Sequence, residues 1–335
     1  MKSSLSIIKN LTLSGVFKMK LYLAPLLFFA FVFNLVSAAP TGRIFITNER
    51  GDSVSVINGS TLAVEATIDV GVRPRGIGLS PDGSELYVAV SEENKIKVID
   101  PASLKILREF EAGSDPETFA VHPNGNIYIS NEDDAKASVF DPKTGEQIAE
   151  IHVGLEPEGV AISPDGKRVI VTSESTNMLH IIKASDNTIE NNILVGSRPR
   201  AATFTQSGDI AYATAEISGE VVKVDMNTGE ILKRGSSGDS KSKPKDVVLS
   251  KDESVIYVAG GRANKVVVMN ADTLEIITGI PVGKRVWGLA ISKDGERLFS
   301  TDGVSGTVSV INTSKNEVIK TIEVGKFPWG VVIND

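Results

Sequence analysis

Seven positions recur at nearly equal spacing and carry side chains of different chemistry: Arg75, Glu117, Glu158, Arg200, Lys245, Trp287 and Trp329. Each follows a proline except Trp287, which follows Val286. The residues one place ahead of that proline or valine are sorted in the same way: Arg73, Asp115, Glu156, Arg198, Lys243, Arg285 and Phe327. Two neighbouring repeats are acidic, two are basic, two present tryptophan, and one more is basic beside the aromatics. A purely structural repeat has no packing reason to sort charge from unit to unit. Arginine offers a two-pronged grip on a carboxylate, and tryptophan offers a flat face. Arg73, Arg75, Arg198, Arg200, Lys245, Arg285, Trp287 and Trp329 are therefore the expected binding set for a small anion, a planar ligand or a protein partner. The competing expectation is that these residues are solvated, or that acidic and basic repeats pair sideways.

A second aligned column, Glu49, Glu132, Glu174 and Glu216, adds carboxylates, and Asp133 and Asp134 extend it. Carboxylate oxygens are the ligands that Ca²⁺ takes. Glu117, Glu132, Glu158 and Glu174 form the candidate metal set, and with it a hydrolase that activates water on a divalent cation. No loop has EF-hand spacing. His122, His152 and His180 fall at three different places in their repeats, so neither a histidine metal site nor a Ser-His-Asp triad is supported. The chain has no cysteine, which excludes thiolate metal sites, cysteine nucleophiles and haem attachment through cysteine.

The elements that position these side chains follow from the period. The spacings between the central positions 74, 116, 157, 199, 244, 286 and 328 are 42, 41, 42, 45, 42 and 42. One unit reads as four strands. Gly76-Ile77-Gly78-Leu79 runs into the turn Ser80-Pro81-Asp82-Gly83. Leu86-Tyr87-Val88-Ala89-Val90, Ile96-Lys97-Val98-Ile99 and Leu104 to Phe110 follow. Valine, isoleucine and aromatic residues fill the runs, and Pro-Asp-Gly and Asp-Pro reverse the chain between them. Four antiparallel strands in about 40–45 residues is the signature of a β-propeller blade. Seven such units predict an all-β, seven-bladed propeller. Ile44-Phe45-Ile46-Thr47 matches the second strand of a blade and Trp329 to Ile333 the first, so the last blade is expected to be closed by both ends. The spacing of 45 comes from Arg234 to Lys243, a Gly-, Ser- and Lys-rich stretch that reads as a mobile loop.

Residues 1–38 read as a secretory signal: an apolar run from Leu21 to Phe33 follows Lys20, and Val36-Ser37-Ala38 offers a cleavage site. Met19 fits the start of a compact signal. Residues 39–335 then form one domain, with no transmembrane segment. The leader carries four lysines and no acid, so a whole-chain charge of −7 becomes −11 after cleavage. That acidity argues against nucleic-acid binding. Export without cysteine fits a periplasm.

Leu86-Tyr87-Val88-Ala89 with Val54-Ser55-Val56-Ile57 resembles the YVTN family of propeller repeats. Thr47 to Asp52, Arg73-Pro74-Arg75-Gly76, Asp115-Pro116-Glu117, Ser130 to Ala135, Thr172 to Met178, Arg285-Val286-Trp287 and Pro328-Trp329-Gly330 look like the exported propeller family associated with pyrroloquinoline quinone (PQQ)-dependent alcohol catabolism. The resemblance covers essentially all of residues 39–335. It implies a non-catalytic binding or scaffold protein, with a quinoprotein dehydrogenase or a cytochrome as partner and PQQ as a possible ligand. The chain lacks the eighth repeat, the tryptophan-docking signature and the paired cysteines of the quinoprotein dehydrogenases, so it is not expected to be the dehydrogenase. YVTN propellers are also similar to lactonases, the hydrolase reading, and to haem-bearing nitrite reductase domains.

Overall fold

The computed structural model describes residues 39–335; the expected signal segment lies outside the described residues. The sequence period is met by seven four-stranded antiparallel sheets. The first blade is representative. Its innermost strand β4 (Pro74–Leu79) pairs with β5 (Leu86–Val90), then β6 (Lys95–Ile99), then the outer strand β7 (Ile106–Glu111). In the seventh blade the inner strand is β28 (Pro328–Asn334) and the other three are β1 (Arg43–Asn48), β2 (Ser53–Asn58) and β3 (Ala63–Asp69). The propeller is therefore closed by its first and last strands, as expected.

Apolar side chains gather in seven clusters, one in each seam between neighbouring blades. Phe45, Val54, Val88 and Ile99 join the seventh blade to the first, and Ile46, Phe299 and Val310 join the sixth to the seventh. The second and third strands supply these residues because both their faces meet a neighbouring blade. They read as continuous apolar runs, such as Leu86 to Val90, rather than as alternation. Outer strands alternate, with exposed residues such as Leu107 facing solvent. No α-helix occurs among the described residues, and no helix there is long and apolar enough to cross a membrane.

The stretch from Arg234 to Lys243 is not an open loop. Its first three residues complete the outer strand β19 (Ile231–Ser236) of the fourth blade. The rest is a turn closed by buried Ser237 and Ser242, whose hydroxyls lie 2.8 Å apart. The extra residues shorten the next inner strand, β20 (Val247–Leu249), to three residues. Lys245 and Asp246 therefore stand ahead of the ladder.

Candidate functional site

The inner strands deliver the sorted column to the channel through a shared backbone device. In six blades, strand pairing slips just after the proline position. Pro74 pairs with Val90, but the next pair is Ile77 with Val88, and the same shift follows Pro116, Pro157, Pro199, Val286 and Pro328. The sorted residue lies within this bulge, which re-aims a side chain and sharpens the local twist. The residue ahead of the proline position takes a left-handed conformation: Arg73 (φ 62°), Asp115 (41°), Glu156 (53°), Arg198 (62°), Arg285 (60°) and Phe327 (53°). None is glycine, so each carries backbone strain. A recurring hydrogen bond holds the strained residue. The amides of Glu49, Glu132, Glu174 and Glu216 donate to the carbonyls of Phe327, Asp115, Glu156 and Arg198 at 2.8–3.1 Å. The aligned glutamates are thus placed beside the sorted column by the backbone itself.

Hydroxyls on the second strands fix the column from the neighbouring blade. Thr47 Oγ1 donates to the carbonyl of Arg75 (2.7 Å), Ser130 to Glu158 (2.5 Å), Thr172 to Arg200 (3.2 Å), Thr214 to Lys245 (3.1 Å) and Thr301 to Trp329 (2.7 Å).

An axial cavity of about 180 Å³ touches all seven inner segments. Glu158, Arg200, Lys245, Trp287 and Trp329 line it. Arg75 and Glu117 do not: their guanidinium and carboxylate are turned onto each other at the rim, and their blades meet the cavity at Gly76 and Thr118.

Acidic and basic blades pair sideways. Arg75 binds Glu49 at 2.9 Å, and Arg73 reaches Asp115 at 3.1 Å and Glu117 at 3.3 Å. Arg200, almost wholly buried, binds Glu158 at 2.6 Å, contacts Glu174 directly and lies 3.9 Å from Glu216. Arg198 binds Glu174 at 2.5 Å. Lys245 binds Glu216 at 2.6 Å. Of the candidate metal set, Glu117 and Glu132 come together with Asp115, their carboxylates within 4.8 Å, whereas Glu158 and Glu174 close on Arg200. A cation among Asp115, Glu117 and Glu132 has to compete with two guanidiniums. Burial and the nearby Glu158 raise the Glu132 carboxyl above its usual value, against the pull of Arg75 and Arg73.

The aromatic sector is arranged differently. The rings of Trp287 and Trp329 stack with centroids 6.2 Å apart. Three cations surround Trp287: Lys245 Nζ at 4.3 Å, Arg285 Cζ at 5.0 Å and Arg200 Cζ at 5.4 Å from the ring centre. Arg75 lies 5.8 Å from the ring of Trp329. These are cation–π distances. Among the described residues the Arg285 guanidinium has no carboxylate partner, and the buried Trp329 Nε1–H has no acceptor. Burial, then the nearby Arg262, lower the Arg285 pKa.

Two titrating groups mark the fifth blade. Burial, reinforced by Arg200, lowers the Lys245 ammonium to about 7 against the opposing pull of Glu216. Burial also works to raise the Glu216 carboxyl, but Lys245, Arg200 and Arg198 outweigh it and leave it below its usual value. Asp246 was not singled out in the sequence, yet it lines the cavity. Its carboxylate accepts from the amides of Val247 and Leu289, both at 2.8 Å, and burial raises it to about 6 despite those bonds. Extending the aligned column by one residue exposes it: the other blades carry Gly76, Thr118, Gly159, Ala201, Gly288 and Gly330 there.

A YNCE-like β-propeller family model matches residues 83–268, more than half of the chain. The chain belongs to the YNCE-like β-propeller family. Solved structures similar to this YNCE-like propeller share its fold. A chain of Kuenenia stuttgartiensis hydrazine synthase aligns at 21% identity and a TM-score of 0.75, over 82% of this chain and 94% of that one. A functionally unknown protein from Desulfotomaculum acetoxidans aligns at 18% identity and 0.76, over 87% and 98%. The dihydro-heme d1 dehydrogenase NirN aligns at 14% identity and 0.66, over 88% and 76%. No curated protein matches.

Proposed function

We propose that this propeller is a non-catalytic binding protein whose ligand seat is the basic–aromatic arc of the axial cavity, and that the ligand is a small planar anion. One observation carries the reading: two stacked tryptophans are ringed by four cations, and the Arg285 guanidinium has no carboxylate partner among the described residues. Arg73, Arg75, Arg198, Arg200 and Lys245 all face carboxylates, so Arg285 is the guanidinium of this arc left for an anion. The idle indole N–H of Trp329 is a donor that a ligand oxygen can satisfy.

The resemblance to exported propellers associated with PQQ-dependent alcohol catabolism supplies a ligand of this kind, since PQQ is a flat polycarboxylate. The reading extends to a periplasmic accessory of quinoprotein-linked alcohol oxidation, partnered by a quinoprotein dehydrogenase or a cytochrome.

The protein reports on its own site, because Trp287 and Trp329 are its only tryptophans. Titration with PQQ is expected to quench their emission saturably. Arg285→Ala is expected to weaken binding about tenfold, the equivalent of about 1.4 kcal/mol. Emission unchanged at high PQQ concentration rejects PQQ, and no response to any planar carboxylate rejects the seat.

A further inference from the structure

We propose that Lys245 is a carbonyl-capturing amine, which condenses reversibly with the carbonyl carbon of a small 2-oxo acid whose carboxylate rests on Arg285. The proposal deepens the anion-seat reading and rests on it.

Lys245 is 5% exposed, lines the axial cavity and lies 4.3 Å from the Trp287 ring centre. Arg285 lies 5.0 Å from the same centre, although it is not among the residues that line the cavity. Glu216 does not need Lys245 as its only counter-ion, because Arg198 and Arg200 already approach it at 3.4 and 3.9 Å. Burial against an aromatic ring beside other cations is the setting that turns lysine from a point charge into a nucleophile. Its lowered pKa leaves free amine available near neutrality. A 2-oxo acid is flat, conjugated and anionic, and places an electrophilic carbon one bond from its carboxylate.

Glu216, 2.6 Å from Nζ, is placed to carry the proton. It accepts a proton from the ammonium, and the free amine adds to the carbonyl carbon. The C–N bond forms as the C=O π pair moves to oxygen. A proton passes from nitrogen to that oxygen, giving a neutral carbinolamine. Glu216 returns its proton to the hydroxyl, which leaves as water, and the nitrogen lone pair closes the iminium. The sum is ammonium plus ketone giving iminium plus water, with Glu216 regenerated and no oxidant or reductant consumed.

The test uses the full protein with pyruvate and glyoxylate as probes, borohydride reduction and peptide mass mapping. The expected result is one reduced adduct on the peptide bearing Lys245, suppressed by a planar carboxylate that has no carbonyl to condense. Lys245→Arg should abolish it. Glu216→Gln should slow trapping about tenfold or more, with folding checked by circular dichroism. Adducts spread evenly over surface lysines, or an adduct that the competitor leaves untouched, overturn the proposal. Saturable tryptophan quenching by a planar carboxylate without any Lys245 adduct also overturns it while leaving the anion seat standing. Loss of both signals removes the two together.

Discussion

At the scale of single residues, the channel is governed by how each buried charge is met. Arg200 satisfies its burial by facing three carboxylates, Glu158, Glu174 and Glu216; removing it leaves Glu158 without a cation partner among the described residues, while Glu174 keeps Arg198 and Glu216 keeps Lys245 and Arg198. Asp246 has no cation partner among the described residues; two backbone amides hold it, and its carboxyl rises to about 6. Between pH 4 and pH 6 it is protonated in the folded chain but ionised once unfolded. The folded state then binds the extra proton, so Asp246 supports the fold on the acid side, and that support is lost as pH rises through about 6. Asp246→Asn has no proton to lose. Its stability relative to wild type is expected to improve by about 2 kcal/mol from pH 4 to pH 6. Urea midpoints at the two pH values measure this; a variant-to-wild-type gap that does not move with pH refutes the assignment. Lys245 titrates near 7, above that window.

At the scale of elements, the inner strand, its bulge and the next blade's carbonyl form one joint. Glycine follows the sorted residue where that carbonyl presses closest: a Cβ on Gly159 would stand 2.2 Å from the Arg200 oxygen. Gly159→Ala must therefore push the third and fourth blades apart, at a cost of about 1–3 kcal/mol. Denaturant unfolding checks this, and a loss below about 0.5 kcal/mol, the range of neutral surface changes, means that the seam is loose. This joint explains what the sequence made legible and what it hid. Strand type and blade number follow from local turn chemistry and a fixed period, both written in segments such as Ser80-Pro81-Asp82-Gly83. The sorting of Arg75, Glu117, Glu158, Arg200, Lys245, Trp287 and Trp329 was visible for the same reason. The bulge and the left-handed residues were not, because each arises from pairing with another strand, and Arg73 or Phe327 gives no local sign of positive φ. The partners of the charges were also undecided, since sideways pairing depends on which rotamers reach across a seam. Asp246 was hidden because the sorted columns stop at the residue after the proline position, and the other blades carry no charge one place further on.

At the scale of the whole molecule, every blade is held by its two neighbours, and the ring survives only if its last seam closes. That seam is unlike the others because its inner strand comes from the far end of the chain. β28 pairs with β1 through Ile44–Ile333, Phe45–Val332 and Ile46–Val331, and Val331, Val332 and Ile333 also pack into the clusters on both sides of that blade. It carries Trp329 into the channel as well, so closure and the proposed ligand seat share one strand. Deleting residues 328–335 leaves β1 with an unpaired edge and two apolar seams open to water. Such an edge pairs with other chains. The truncated protein is expected to run as larger species than the intact chain by size-exclusion chromatography and to melt at a lower temperature. A synthetic peptide spanning Pro328–Asp335, supplied during refolding, is expected to restore the elution of the intact chain by adding the missing strand in trans. Replacing Trp329 with phenylalanine in the intact chain separates the two roles, since it keeps the ladder but removes the indole that faces Arg75. A truncated chain that elutes like the intact protein and melts at the wild-type temperature shows that six complete blades and an open seventh hold the ring unaided.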